Sequence, residues 1–107
     1  MKKKIAIAAL ALSSLTSQAA TVLGSVSCVD WNHEKHELVK VKHELHAMWL
    51  MGYLSGANLR APVDFLAGNE ARALIIWVDN YCAANPLDNA YAGAEQLIKT
   101  LIARKGY

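Results

Sequence analysis

Residues 69–86 read NEARALIIWVDNYCAANP. Leu74, Trp77, Val78 and Tyr81 fall at i, i+3, i+4 and i+7, the spacing that lines one face of an α-helix, and Cys82 follows one turn after Val78. The spacing predicts a central core helix over about Glu70 to Ala84, with Asn69 as its cap and Glu70 in the first turn, where the helix dipole favours an acid. Asn85-Pro86 ends the element, because the residue before a proline is pushed out of helical geometry.

Outward from this helix the pattern repeats. Asp88 is placed to cap a helix over about Asn89 to Arg104 that buries Ala90, Ala94, Leu97, Ile98 and Leu101, with Arg104 and Lys105 complementing the dipole at its end and Gly106 as the stop. On the other side, His43 to Leu59 reads as a helix whose Leu45, Trp49, Gly52 and Gly56 share a stripe. The two glycines each lower intrinsic helicity by about 1 kcal/mol relative to alanine, so the expected compensation is close approach of another helix backbone. Arg60-Ala61-Pro62 ends this helix, and Asp64-Phe65-Leu66 forms a short turn before Gly68. Residues 20 to 30 lack helical periodicity and read as an extended lead-in. Asn32 to Lys42 is polar, and its few apolar residues define no face, so helix and loop both remain open there. The expected architecture is all-α: a small single-domain bundle of three to four short helices with one disulfide.

The N-terminus has the order of a secretory leader. Lys2, Lys3 and Lys4 precede the apolar run Ile5 to Leu12, and Ser17-Gln18-Ala19 supplies small residues for cleavage after Ala19. Residues 1–19 are thus expected to be removed, leaving 20–107 as one helical domain. The apolar run is shorter than the roughly 20 residues of a membrane span, and no uncharged run of that length follows, so no membrane span is expected. Ser25-Val26-Ser27 before Cys28 lacks a lipoprotein pattern. Export places Cys28 and Cys82 in an oxidising compartment, where two cysteines allow one intramolecular pairing. Closing a loop of about 55 residues contributes roughly 4 kcal/mol in the chain-entropy treatment, a large share of the stability of so small a core.

Formal net charge is +2 for the full chain. Removal of the three leader lysines leaves eight basic residues against nine acidic. A near-neutral chain does not carry the concentrated basic surface that binds phosphate backbones, which argues against nucleic acid as a partner. The four histidines make the charge sensitive to acidification.

His33, His36, His43 and His46 are the sharpest chemical candidates, as pH-sensing groups or as metal ligands. On one straight helix His36 and His43 would lie about 20° apart in projection but about 10 Å apart along the axis. One pair with outside ligands suits a zinc ion, whereas all four from a straight helix do not. Neither pair forms His-Glu-x-x-His, so a metalloprotease has no support. Gly52-Tyr53-Leu54-Ser55-Gly56 places its serine off the centre of the hydrolase elbow pattern, and Asp64, Asp79 and Asp88 are scattered, so no catalytic residue and no cofactor is expected. Trp31, Trp49, Trp77, Tyr53 and Tyr81 read first as core. Met48 and Met51 flank Trp49, and a surface of Trp31, Met48, Trp49, Met51 and Tyr53 would suit a protein partner, because methionine adapts to irregular contacts.

Ser27-Cys28-Val29-Asp30-Trp31, Ala47-Met48-Trp49, and Tyr81-Cys82-Ala83-Ala84-Asn85-Pro86 with Tyr91 beyond together resemble the HdeA/HdeB family of periplasmic acid-stress chaperones. The resemblance implies a small periplasmic helical protein in which acid loosens a dimer or the monomer fold and exposes apolar surface to denatured clients. Gly52-Tyr53-Leu54-Ser55-Gly56 and the helix ending at Asn85-Pro86 are also similar to the Rap/Tai family of type VI secretion immunity proteins, which implies a preformed patch that neutralises a toxin. Both resemblances imply a non-enzymatic exported protein whose partners are other proteins, unfolded clients or a toxin, with a homodimer among its expected states. The acid-stress chaperone is the leading expectation. The immunity protein is the first alternative, and a periplasmic metal-binding protein using His33, His36, His43 and His46 is the second.

Overall fold

The computed structural model describes residues 20–36 and 40–107, with the side chains of residues 34–36, 40 and 41 outside that description; the expected leader at 1–19 lies outside the described residues. Among the described residues four helices follow in order: α1 Cys28–His36, α2 Lys40–Leu59, α3 Ala71–Ala84 and α4 Ala90–Arg104. Among the described residues there is one isolated antiparallel bridge, Ser27 with Asn89, and no strand.

The polar stretch that sequence left open is largely helical, and α1 begins at Cys28, within the expected lead-in. Its start has a local cause. The Ser27 hydroxyl accepts from the Asp30 N–H at 3.1 Å and the Ser27 carbonyl from the Trp31 N–H at 2.9 Å, an N-cap arrangement. Among the described side chains of this helix only Cys28 and Trp31, one turn apart, turn fully inward. Those two residues fasten an otherwise polar helix to the bundle, Cys28 through the disulfide to Cys82, 54 positions away in sequence.

The core is one cluster built from every element: Cys28 and Trp31 of α1, Leu50 and Leu54 of α2, Phe65 of the following turn, Leu74, Val78 and Cys82 of α3, and Ala90, Ala94, Leu97 and Leu101 of α4. The α3 and α4 faces match the periodicity, with Trp77, Tyr81 and Ile98 at the margin of the core. The α2 face does not. Leu50 and Leu54 point inward, whereas Leu45 is 62% exposed, and a Cβ added at Gly52 or Gly56 would meet nothing within 4 Å. Among the described residues no helix backbone approaches these glycines; the close contact falls on Gly93, where a Cβ would stand 2.9 Å from the Tyr81 ring.

Two caps shift by one residue. Asn69 donates from Nδ2 to the carbonyls of Phe65 and Ala67, and Glu70 occupies the N-cap of α3 without a side-chain bond. Asn89, not Asp88, caps α4, its Oδ1 accepting from the Ala92 N–H at 2.9 Å. Ahead of α1, residues 20–27 form a strap across the start of α4. The Val26 carbonyl accepts from Ala90 N–H at 2.8 Å, the Ser25 hydroxyl from Tyr91 N–H at 3.0 Å, and the Cys28 N–H donates to the Asp88 carbonyl at 2.9 Å. The strap thereby satisfies N–H groups that a helix start leaves without intrahelical partners.

Candidate functional site

Trp31 is the centre of the arrangement. It is 0% exposed, so in the folded chain it belongs to the core and not to an outer surface. Its indole N–H donates to Asp79 Oδ1 of α3 at 2.8 Å, and the His43 ring of α2 meets it edge-on with centroids 5.2 Å apart. Beside it the Asn32 amide donates to the Cys82 carbonyl at 3.0 Å. Asn32 Oδ1 and His43 Nδ1 are buried without a hydrogen-bond partner among the described residues.

Two further aromatic donors end on carboxylates. The Tyr53 hydroxyl of α2 donates to Glu95 Oε2 of α4 at 2.6 Å. Burial first, then the bond to Glu95 and its negative charge, hold the Tyr53 phenol above its ordinary range. The Tyr81 hydroxyl donates to the Asp88 carboxylate, which also accepts from the Asn89 N–H at 3.0 Å. That bond, followed by burial and the charge of Asp88, raises the Tyr81 pKa. Two of the three carboxylates that read as scattered in sequence, Asp79 and Asp88, therefore act like Glu95, each holding an aromatic group in place, whereas Asp64 accepts from the Asn58 amide. No local signal marks them, because Trp31 and Asp79 stand 48 positions apart.

The remaining candidates occupy different depths. Met48 is 70% exposed; Met51, Trp49 and Tyr53 are half-buried against the core. Trp49 stacks on Tyr53, which meets Tyr91 edge-on. The strap covers this aromatic row: Trp49 Nε1–H donates to the Leu23 carbonyl at 2.7 Å. Gly24, at φ 85°, lies so near that a Cβ would stand 2.7 Å from the indole. Among the histidines, His33 is exposed, His43 and His46 are half-buried, and the His36 side chain lies outside the described residues. Among the described residues, no three His, Cys, Asp or Glu side chains come together as a metal site. The same holds for membrane insertion: no described helix is long and apolar enough to cross a bilayer. The disulfide fits an oxidising, non-cytoplasmic setting.

No protein-family model, curated protein or solved structure matches the chain.

Proposed function

We propose that this chain is a non-enzymatic, exported periplasmic domain that binds unfolded proteins in acid, as the resemblance to acid-stress chaperones implies. The observation that carries the reading is the use of Asp79, Asp88 and Glu95 as acceptors for Trp31, Tyr81 and Tyr53. Hydrogen bonds to an ionised acceptor are about twice as strong as neutral ones. Protonation of the three carboxylates in strong acid weakens all three attachments together.

The consequence is selective. Aromatic side chains at the α1–α3 and α2–α4 junctions loosen, while the Cys28–Cys82 bridge keeps the ends of the bundle joined. Trp31, Trp49, Met51 and Tyr53 then join the already exposed Met48 as an adaptable apolar surface for a denatured client.

The test is aggregation of an acid-sensitive client protein at about pH 2 to 4 and at pH 7 with stoichiometric amounts of the purified, disulfide-intact protein. Suppression confined to acid supports the reading. Absence of suppression in acid rejects it.

A further inference from the structure

The groove that the strap occupies reads a pattern in it. Trp49 Nε1–H meets the Leu23 carbonyl, Tyr91 N–H the Ser25 hydroxyl and Ala90 N–H the Val26 carbonyl. Between the first two lies Gly24, whose φ is 85° and where a Cβ would stand 2.7 Å from the Trp49 indole, so glycine alone fits there. Four consecutive positions are thus recognised: a carbonyl, a glycine, a hydroxyl and a carbonyl. The reading falls mostly on main chain. Leu23 turns its side chain out and is 81% exposed, and Val26 is the strap side chain packed against the core cluster.

The walls of the groove do not depend on the strap. Trp49 stacks on Tyr53 with centroids 5.2 Å apart, Tyr53 meets Tyr91 edge-on at 5.9 Å, and Glu95 of α4 holds the Tyr53 hydroxyl. The strap in turn can leave without opening the bundle. The chain is next secured at Cys28, by the disulfide and by its N–H bond to the Asp88 carbonyl. The strap also fills the groove incompletely, since a cleft of about 340 Å³ stays open among Val22, Ser25, Asn89 and Tyr91. Its departure uncovers an indole N–H and two N–H groups at the start of α4, donors that need new acceptors.

We propose that this groove is a peptide-binding site that the strap closes in cis, and that its ligand in trans is an extended segment of unfolded polypeptide carrying glycine followed by serine or threonine. Backbone bonds along an extended segment, with a pocket rule at one position, are an established mode of peptide recognition. The proposal rests on the unfolded-protein reading for the source of the segment, not for the chemistry of the groove. A tethered strap competes at an effective concentration of about 1 mM, so a free segment binds weakly until the strap is lifted.

Gly24→Ala lifts the strap in the purified, disulfide-intact protein, because the added methyl group strikes a ring that Tyr53 supports from behind. In heteronuclear NMR at about pH 7, the Trp49 indole N–H, assigned with Trp49→Phe, should lose protection from hydrogen exchange in this variant. A blocked peptide TVLGSVS, the sequence of residues 21–27, should restore that protection with a Kd below about 1 mM, and should displace the wild-type strap, read at the Gly24 amide, at least about tenfold more weakly. The same peptide with alanine in place of glycine should do neither. A Gly24→Ala protein whose indole stays protected overturns the proposal, as does one that takes neither peptide or both alike. Should that variant not fold, the wild type titrated with both peptides to about 10 mM decides: movement of the Gly24 amide with the glycine peptide alone supports the proposal, and no difference between the peptides overturns it. The titration contains no client and no acid, so its failure leaves the aggregation result standing, and failure of client protection leaves the titration standing.

Discussion

Gly93 and Tyr81 meet where α4 crosses α3, and the contact leaves no room for a methyl group. The ring that a Cβ would strike is fixed from two other sides, stacked on Trp77 and held through its hydroxyl by Asp88, so it cannot yield easily. Gly93→Ala is expected to lower unfolding free energy by about 1 to 2 kcal/mol in urea titration, overpacking outweighing the gain in helix propensity. A titration tests the same ring from its other end. Tyr53 and Tyr81 both hold their protons more tightly folded than unfolded. Their contribution to stability is therefore complete below the ordinary phenol value of about 10 and is lost as pH rises above it. Urea midpoints between about pH 8 and pH 11 should fall more steeply for the wild type than for a Tyr53→Phe, Tyr81→Phe double variant. At this scale the sequence disclosed little of the site. Tyrosines and tryptophans were legible as core formers, but the acceptors that hold them lie on other elements, and no spacing rule links Trp31 to Asp79 or Tyr53 to Glu95.

Among the elements, α3 and α4 were legible because each has one apolar face and a polar remainder, with proline or glycine close to their ends. Their caps were displaced by a single residue for a local reason: Asp88 is drawn to Tyr81 and leaves the α4 N-terminus to Asn89. Asn89→Ala should accordingly cost about 0.5 to 2 kcal/mol, whereas Glu70→Ala should stay near neutral, since Glu70 makes no cap bond. Thermal unfolding of the two variants side by side checks the contrast. In α2 the periodicity did not choose a face. Leu45, Met48 and Leu59 compete with Leu50 and Leu54, so the helix is apolar on opposite sides, and only the packing of neighbours decides which side is inside. Of the stripe assigned to close intrachain contact, Leu45, Gly52 and Gly56 are open, and Trp49 alone packs inward beneath the strap.

For the molecule as a whole, the all-helical architecture and the Cys28–Cys82 staple followed from two cysteines, an expected export leader and three periodic segments. What sequence could not reveal is how unevenly the fold is held. Aliphatic contacts of Leu50, Leu54, Val78, Leu97 and Leu101 are indifferent to pH, as is the disulfide. The aromatic attachments at the α1–α3 and α2–α4 junctions end on carboxylates, and the proposed function requires that these loosen in acid. The proposed function therefore expects an acid state with helices retained and aromatic packing lost. The most direct test is circular dichroism of the disulfide-intact protein from pH 7 to about pH 2. The expected result is loss of the near-ultraviolet aromatic signal with the far-ultraviolet helical signal largely preserved. A near-ultraviolet spectrum unchanged at the acid end would contradict the account.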